Sequence, residues 1–599
     1  MHPETRVLEC SPLPPTALNP LVSSNYPTDR TVPPSAPPVP HPLDSYWTAH
    51  YTSSLTSHNA AGPIPGKADL VIIGSGLTGS CAAAELVEKL LEEPVRDEQG
   101  RVRTVKVVVI EARKFCSGAT GRNGGHLTAY PVAHFCALAE KYGTEEAIRA
   151  VKLEDEAISW LLGLVHEEGW EEDVDLQEGG GTLVTYDSPA QVDSVRSSLA
   201  AASSAGLDTP DKVRWFTSAE AREKYSVKCE GAVMVPGNNL FPLKFVTKLL
   251  QRALSRAASA TRDARKKGNL PPVELELFTH TVASGVEPSS TAGSWVVKTD
   301  RGDIEATHVL HATNGYASSI LPSFSSTPLF PGILPTRAQC LSLLPLSPSP
   351  SNRFSSWSNA FSPSTLPEEA EKGVNTYAFQ RRWSAKGEKR GEVIIGGMRE
   401  HAEGWEWGVG DDGEVSEEVG REIRRSLGVT WPGVFEIVEE GEEDERVEEE
   451  GSVGGLKREK LLAQMDWTGI MGYREDGNPI VGPVFVEGKK LDGQWIAAGY
   501  SGHGMPRAPL CGHLTASLIH YHLLSPSPPT FSSPSSLSSP IPFASPAPPR
   551  APFRLPPHFP RHLLATPDGR GDGRTRLAEE EEGKGVEERD GWVWVEGKE

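Results

Sequence analysis

The fold is decided by a short stretch near the start of the chain, Lys67-Ala-Asp-Leu-Val-Ile-Ile-Gly-Ser-Gly-Leu-Thr-Gly79. Its first half is a run of β-forming apolar residues, which is typical of a buried parallel strand. Gly74, Gly76 and Gly79 follow with the spacing G-x-G-x-x-G, and helical periodicity begins at Ser80. In this setting the glycines allow a tight turn, a close approach of the backbone to a pyrophosphate, and close packing of helix on strand. The pattern predicts a dinucleotide-binding unit with the phosphates at the helix N-terminus.

A second predicted strand, Val105–Ile110, supports this interpretation. It ends in Glu111, and a carboxylate at this strand end would accept hydrogen bonds from a ribose 2′-OH and repel a 2′-phosphate. The interval between the two strands is longer than usual, because the polar stretch 92–104 is typical of an inserted loop. The two strands indicate a dinucleotide but leave open which one.

Three further segments rich in glycine bear on the identity of the cofactor. The first, Ser117-Gly-Ala-Thr-Gly-Arg-Asn-Gly-Gly-His126, comes shortly after the second strand. The second is a strand that delivers Thr313 and Gly315 to a turn. The third, residues 494–509, is a strand and a glycine loop that lead into a helix. A nicotinamide enzyme would leave this last loop without a purpose, whereas a helix N-terminus there could stabilise negative charge on a reduced flavin. The segments favour FAD.

Composition excludes several classes of protein. The 599 residues include 59 Lys and Arg against 80 Asp and Glu, and the net charge of −21 argues against binding to nucleic acid or to an anionic membrane. Seven cysteines without a C-x-x-C pair predict neither a disulfide framework nor a zinc site, and no metal is expected. The sequence has no nucleophile elbow, no P-loop, no signal-peptide core and no apolar run long enough to span a bilayer. We expect a cytoplasmic protein.

Taken together, these motifs resemble the FAD-dependent oxidoreductases of the D-amino-acid oxidase, glycine oxidase and sarcosine oxidase superfamily. The resemblance covers residues 45–524 and includes Gly472-Tyr-Arg-Glu-Asp-Gly-Asn-Pro-Ile-Val-Gly-Pro483, which is similar to a hairpin near the C-terminal end of that family's fold. Within the superfamily, Ser117–His126 is most similar to the branch that contains gamma-glutamylputrescine oxidoreductase. The motifs indicate the superfamily and do not identify the substrate.

The resemblance implies a fold of class α/β plus α+β, in which a discontinuous Rossmann-like FAD-binding domain carries an inserted, mainly antiparallel β-sheet domain for the substrate. The expected FAD-binding segments are residues 45–150, 237–328 and 461–524, and the expected substrate segments are 151–236 and 329–460, the latter with an acidic insertion. Residues 1–44 and 525–599 are rich in Pro and Ser and are expected to be a disordered arm and a mostly disordered tail. A single long cofactor also requires Ser117–His126 and Tyr500–Met505 to lie on the same side of the molecule.

The resemblance also implies the cofactor contacts. The first glycine turn would line the pyrophosphate, Glu111 would bind the adenosine ribose, Val282 would meet the adenine through its backbone, and the remaining segments would follow the ribityl chain and the flavin. The expected cofactor-binding residues are Gly74, Gly76, Leu77, Thr78, Gly79, Glu111, Ala112, Arg113, Thr120, Arg122, Asn123, Gly124, Gly125, His126, Val282, Thr313, Gly315, Gly499, Gly502, His503, Gly504 and Met505. Some relatives bond the flavin covalently through His or Cys, and the sequence leaves this open.

For the reaction, the resemblance implies oxidation of a C–N bond by hydride transfer to flavin N5, after which the imine is hydrolysed. No dedicated base is expected, because the amine only has to lose its proton before or during the transfer. The candidates for positioning the substrate are His503, Tyr377 and Arg399. Each has a structural alternative: a histidine that caps backbone, a packed sheet tyrosine, and an arginine in a surface salt bridge.

The expected activity is that of an FAD-dependent amine or amino-acid oxidoreductase, which acts on a small molecule with oxygen or another electron acceptor. Two alternatives stay open. One is a nicotinamide-dependent dehydrogenase that uses only the first glycine turn, and the other is a flavin-binding scaffold that does not turn over.

Overall fold

The computed structural model places the predicted strands in two large sheets. It describes residues 32–129, 131–324, 332–346, 360–362, 376–382, 391–438, 459–524, 555–556 and 559–565. Within these ranges the strands are β1 (Lys67–Ile73), β2 (Val105–Ile110), β3 (His126–Leu127), β4 (Thr182–Tyr186), β5 (Arg214–Thr217), β6 (Gly231–Val235), β7 (Asn238–Asn239), β8 (Val273–Phe278), β9 (Ala283–Pro288), β10 (Trp295–Thr299), β11 (Ile304–His311), β12 (Leu334–Pro345), β13 (Ala360–Ser362), β14 (Thr376–Gln380), β15 (Val393–Gly397), β16 (Phe435–Val438), β17 (Glu459–Tyr473), β18 (Ile480–Val486) and β19 (Lys489–Ala498). The α-helices are α1 (Tyr46–Ala49), α2 (Leu77–Glu92), α3 (Phe135–Tyr142), α4 (Thr144–Glu167), α5 (Pro189–Ser204), α6 (Ser218–Tyr225), α7 (Pro242–Lys266), α8 (Ala317–Ile320), α9 (Glu417–Thr430) and α10 (Ala508–Leu524).

The first sheet has the strand order β18-β19-β11-β1-β2-β8, with β10 and β9 attached to β11. β1 pairs in parallel with β11 and with β2, and β11 pairs in parallel with β19. Parallel neighbours need crossover connections, which cover the faces of the sheet, and the last four residues of both β1 and β2 are buried. On one face α2 packs against α10 so closely that a Cβ on Gly512 would lie 2.7 Å from the Thr78 carbonyl oxygen. This sheet is the predicted Rossmann-like unit.

The second sheet has the strand order β16-β17-β12-β15-β14-β13-β4-β6-β5. Its pairs are antiparallel, except for β13 with β4 and β16 with β17. The two longest strands, β12 and β17, pair from Leu334 opposite Tyr473 to Pro345 opposite Leu461. Helices α6 and α9 contribute to an apolar cluster with this sheet, in which Trp431 is fully buried. The predicted fold class, with its mainly antiparallel second unit, is confirmed.

The boundary between the two units lies later in the chain than the sequence predicts. Residues 461–473 are expected in the FAD-binding unit, but β17 keeps them in the second sheet as far as Tyr473. The reason is that β12 offers a partner strand of 12 residues, so the antiparallel ladder continues along its whole length. The predicted boundary at residue 150 falls inside α4, and the acidic insertion lies outside the described residues.

Part of each predicted arm lies against the body of the protein. Ser35 N–H donates to Ser318 Oγ (2.9 Å), and Leu43 N–H donates to the Asp412 carbonyl oxygen (3.0 Å), so residues 32–44 run from one unit to the other. Near the other end, residues 559–565 are packed, whereas most of the remaining arm and tail lies outside the described ranges. None of the helices in the described ranges is both long and apolar enough to cross a membrane.

Candidate functional site

The glycine turn after β1 makes the N-terminus of α2 suitable for an anion. Gly74 has φ +109°, and a Cβ there would lie 2.6 Å from a backbone oxygen, so only glycine fits. A Cβ on Gly79 would lie 2.0 Å from the Gly74 carbonyl oxygen, so turn and helix touch directly. Leu77 N–H donates to Thr120 Oγ1 (3.1 Å), whereas the N–H groups of Thr78 and Gly79 meet no acceptor among the residues that the structure describes. Two such donors at the positive end of a helix suit a phosphate group.

Glu111 stands at the end of β2, beside the same turn. Its Oε2 accepts from the Ser75 N–H (3.1 Å) and from the Ser75 hydroxyl (2.7 Å), and its Oε1 accepts from the Arg113 N–H (3.2 Å). The carboxylate is therefore fixed where a Rossmann-like fold binds the ribose. The N–H of Thr281, the residue before Val282, donates to the Glu111 carbonyl oxygen (2.8 Å). The two expected adenosine contacts, Glu111 and Val282, therefore lie close together. The Val282 N–H itself donates to Asp300 Oδ1 (2.8 Å), so it could meet an adenine only if that bond opened.

Residues 112–126, all expected to lie along the cofactor, are called the cofactor cradle. Two of its arginines converge on one buried carboxylate. Arg113 Nη1 lies 2.7 Å from Asp412 Oδ1, and Arg122 Nε lies 3.2 Å from Asp412 Oδ2. Burial lowers the pKa of Arg122, and the charge of Asp412 opposes this shift. Arg122 also donates to the carbonyl oxygens of Ser117 (2.7 Å) and Thr468 (2.8 Å). The sequence places Arg122 along the flavin, whereas the structure uses its guanidinium to tie the cradle to β17.

The end of the cradle faces the second sheet. His126 packs edge-on against Tyr377 and Phe379, with ring centroids 5.3 and 5.4 Å apart. A Cβ on Gly124 would lie 2.3 Å from the Tyr377 ring, so this approach requires glycine. Burial lowers the pKa of His126 to about 4, so the ring is neutral at pH 7. Its buried Nε2 forms no hydrogen bond of good geometry with the described residues, although the backbone of Ala378 lies close enough to the ring to oppose the lowering of the pKa.

Tyr377 is a packed sheet residue that also borders the cradle. Its hydroxyl forms a hydrogen bond with Cys340 Sγ (3.1 Å), and a Cβ on Gly396 would lie 2.5 Å from the same oxygen. Burial raises the pKa of Tyr377 well above its usual value, so the hydroxyl keeps its proton. Tyr377 is therefore a packed sheet tyrosine, which was the structural alternative, and it also lies beside Gly124.

The last two glycine segments meet at the C-terminal end of β17. Gly499 N–H donates to Asn314 Oδ1 (3.1 Å), and Ser501 N–H donates to the Gly472 carbonyl oxygen (2.7 Å). A Cβ on Gly315 would lie 2.4 Å from a backbone oxygen of β17. The turn that carries Thr313 and Gly315 is therefore in direct contact with the loop before α10 and with β17.

β17 also holds the first of the three glycine segments, Ser117–His126, because Trp467 Nε1 donates to the Arg122 carbonyl oxygen (2.8 Å). The final loop in turn contacts α2, where Thr78 Oγ1 donates to the Tyr500 hydroxyl (2.9 Å). Ser117–His126 and Tyr500–Met505 thus lie on the same side of the molecule, since both contact β17. This is the arrangement that a single long ligand requires.

The final glycine loop contacts a carboxylate that sequence reasoning does not identify. His503 Nε2 lies 2.8 Å from Glu154 Oε2, and Arg507 Nε donates to Glu154 Oε1 (2.7 Å). Burial alone would raise the pKa of Glu154, but the charges and hydrogen bonds of His503 and Arg507 lower it to about 2. The sequence signal is its position in α4, three residues from the buried Val151 and Ala157. A carboxylate on the apolar face of an amphipathic helix needs a buried cation.

Arg399 and Arg474 bring two more buried cations to this loop. The Arg399 guanidinium lies over the rings of Trp407 and Tyr473, 4.2 and 4.9 Å from their centroids, so the alternative of a surface salt bridge is excluded. A Cβ on Gly502 would lie 2.7 Å from the Tyr473 hydroxyl, so one aromatic ring separates Arg399 from the loop. Arg474, which the sequence analysis does not single out, is 1% exposed, and its side chain lies 2.9 Å from the position of a Cβ on Gly499.

The donor set fits a long anionic cofactor. Phosphates would meet the N-terminus of α2, the ribose would meet Glu111, and a ring system would meet His126 and the loop before α10. Side chains at the glycines would close these approaches, because their Cβ atoms would collide with backbone or with Tyr377 and Tyr473. Within the described ranges, no group of three His, Cys, Asp or Glu side chains could hold a metal ion.

Comparisons with known proteins agree with this architecture. The chain is 22% identical over 455 residues to the probable oxidoreductase OrdL of Rhizobium meliloti (strain 1021), covering 76% of this chain and 83% of that protein. The solved structure of glycine oxidase from Geobacillus kaustophilus superposes with a TM-score of 0.50 at 17% identity, covering 76% of this chain and 95% of that one. L-proline dehydrogenase from P. horikoshii gives a TM-score of 0.50 at 20% identity, with 77% and 95% covered.

At these identities the two structures establish the fold and leave the substrate open. The predicted place in the gamma-glutamylputrescine oxidoreductase branch stays a prediction. Residues 69–518 match the family model described as FAD dependent oxidoreductase, DAO. The chain therefore belongs to the DAO family of FAD-dependent oxidoreductases.

Proposed function

We propose that this protein uses FAD to oxidise the C–N bond of a small amine or amino acid. The observation that carries the proposal is the meeting of separated glycine segments, which come together at β17 and at the N-terminus of α2. The names of two proteins with the same fold, a glycine oxidase and an L-proline dehydrogenase, support the substrate class.

In this proposal the chain binds the cofactor and sets the charge around it. When bound, FAD accepts the hydride equivalent that leaves the substrate carbon. Thr78 and Gly79 N–H groups would hold a phosphate, and Glu111 would hold the ribose. The N-terminus of α10, with His503 and Arg507 beside it, would offer positive charge to an electron-rich ring. Neutral His126 would hydrogen-bond through Nε2.

Two features bear on the substrate class and favour different members of it. Arg399 is a buried cation one ring from the final loop and 3.7 Å from Glu400, and since a guanidinium can pair with a second carboxylate, it favours an amino acid. The likeness of Ser117–His126 to the gamma-glutamylputrescine oxidoreductase branch favours a longer amine. In both classes the carbon that loses the hydride bears the nitrogen, and a substrate panel distinguishes the two classes.

The test is anaerobic bleaching of the flavin. We expect the purified protein to carry a flavin absorbance band, and we expect this band to be lost on addition of one class among polyamines, N-methyl amino acids and D-amino acids. Mixing the bleached enzyme with oxygen then separates an oxidase, which regains colour rapidly, from a dehydrogenase that needs another acceptor.

Two outcomes would overturn the proposal. Protein that holds no flavin, even after reconstitution with FAD, would contradict cofactor binding and would direct attention to a nicotinamide. A flavin that stays oxidised with every amine, but can be reduced by dithionite, would indicate a scaffold that does not turn over.

A further inference from the structure

A short apolar segment within the Ser- and Pro-rich tail packs against β18 of the first sheet and against α4. We call residues 559–565, Phe-Pro-Arg-His-Leu-Leu-Ala, the C-terminal latch. Phe559, His562, Leu563, Leu564 and Ala565 are each at most 7% exposed. Such burial in a short segment far from the last helix requires a receiving surface with specific contacts.

The first anchor of the latch is an edge strand. β18 ends the order of the first sheet, and it pairs with β19 on its inner side. On its outer side Leu564 forms a parallel bridge with Val481, and Ala565 N–H donates to the Val481 carbonyl oxygen (2.7 Å). This single bridge pairs the segment with the outer edge of β18, and pairing with a sheet edge is a common way for a protein to bind an extended peptide.

The second anchor is a carboxylate in the first turn of α4. Glu146 Oε2 accepts from the Arg561 N–H (2.8 Å), and it lies 2.9 Å from His562 Nδ1. The His562 ring stacks on Tyr142, with centroids 4.2 Å apart and planes 9° apart. Burial alone would raise the pKa of Glu146, but His562 and Arg149 lower it to about 2, so the carboxylate is charged when the latch is docked.

The receiving surface is connected to the final glycine loop through polar contacts. The Tyr142 hydroxyl accepts from Asn478 Nδ2 (2.9 Å), and the next residue back in that turn, Gly477, accepts from Arg507 Nη1 through its carbonyl oxygen (3.2 Å). Arg507 in turn holds Glu154, which holds His503. Glu146 and Glu154 also share α4, about 12 Å apart along its axis.

We propose that residues 559–565 are a detachable peptide ligand that docks in cis on α3, α4 and the β18 edge, and that docking holds the loop 499–505 in its cofactor-binding position. The coupling to the loop rests on the proposed FAD site, whereas the docking does not. Because residues 525–558 tether the latch to α10, docking is intramolecular and needs only modest intrinsic affinity. The proposal requires two discrete states of the latch, docked and released, as a coupling element must have.

The experiment uses the full chain with Leu564→Asp and, as a milder change, His562→Ala. His166→Ala is the matched control, because His166 lies on α4 and also pairs with carboxylates, but at its exposed end. Hydrogen exchange is followed at the backbone amides of residues 561, 562 and 565, and the FAD dissociation constant is measured by fluorescence. A synthetic peptide of residues 555–565 is then added to the Leu564→Asp protein.

We expect the three amides to exchange at least about ten-fold faster in both latch variants and unchanged in His166→Ala. The FAD dissociation constant should rise about two- to thirty-fold in the latch variants, and the peptide should restore the wild-type value. Unchanged exchange would overturn the latch, and faster exchange with unchanged FAD affinity would overturn its coupling to the loop. A concentration-dependent dimer that Leu564→Asp abolishes would overturn docking in cis. If the chain binds no FAD at all, exchange still reports on docking, so the two failures are distinguishable.

Discussion

Two buried carboxylates, Asp412 and Glu154, each pair with two basic side chains beside a glycine segment, yet the two clusters differ. Asp412 pairs with Arg113 and Arg122, which are both almost fully buried and permanently charged. Glu154 pairs with Arg507 and with His503, whose side chain is 21% exposed. The first cluster is closed to solvent, and the second opens to it at the loop that faces the proposed cofactor.

This difference in exposure indicates that the two clusters have different roles. The Asp412 cluster joins the cradle to the second unit, and residues 32–44 reinforce it because Arg122 Nη2 donates to the Leu43 carbonyl oxygen (2.6 Å). The Glu154 cluster contains one partly exposed partner, His503, at a loop expected to meet the flavin. We therefore expect the first cluster to act mainly on stability and the second on both stability and cofactor properties.

The largest effect is expected for Asp412→Ala. The substitution leaves Arg113 and Arg122 buried without their carboxylate, and removing one partner of a buried ion pair costs about 3–5 kcal/mol of unfolding free energy. Urea unfolding followed by tryptophan fluorescence measures it. Asp208→Asn, which alters an ion pair with Lys212 at the surface, is the control and should leave the unfolding midpoint unchanged. A loss below about 1 kcal/mol in Asp412→Ala would show that the arginines are held by backbone carbonyls alone.

Glu154→Gln should have a somewhat smaller effect, with a distinct dependence on pH. Because the folded protein lowers the pKa of Glu154 from 4.5 to about 2, the carboxylate contributes about 3 kcal/mol of stability at pH 7. A lowered folded pKa gives a contribution that is complete above about pH 4.5 and is lost as pH falls towards about 2. The measurement is the difference in unfolding free energy between wild type and Glu154→Gln across this range.

The change of that difference with pH tests whether the charge of Glu154 stabilises the fold. The difference should be largest at pH 7 and should shrink steadily below pH 4.5. Glu223 of α6 is exposed, so Glu223→Gln supplies a control that removes a surface carboxylate instead of a buried one. A difference between wild type and Glu154→Gln that stays constant down to pH 2 would mean that the carboxylate contributes by packing and not by charge.

These two clusters also mark the limit of what the sequence could predict. The turn at Gly74–Gly79 and the acidic end of β2 follow from local spacing, because the strand, turn and helix that give them meaning are adjacent in the chain. Asp412 and Glu154 carry no such local pattern. Their partners lie 299 and 349 residues away in the chain, so only the three-dimensional fold brings them together.

The candidate site shows the same limit. Tyr377, Arg399 and His503 could be named from their surroundings in the sequence, but not their contacts. Whether Tyr377 faces substrate or packs against Gly124 depends on the register of β14 against β15, which one residue of slip would reverse. The continuation of β17 to Tyr473 likewise depends on the length of β12, a strand more than a hundred residues earlier.

The smallest expected effect, and the one that sharpens the comparison most, is that of His503→Gln. A glutamine can still donate a hydrogen bond to Glu154, while Arg507 keeps its contact, so the substitution removes the imidazole ring and any charge it carries. For a partly exposed pair this should cost about 1 kcal/mol or less of unfolding free energy. If His503 provides charge to the cofactor, the same variant should lower the flavin reduction potential, a readout that packing alone would not change. His166→Gln, on the exposed part of α4, should alter neither quantity. A loss in His503→Gln as large as that in Glu154→Gln, with an unchanged potential, would make the second cluster a structural lock like the first.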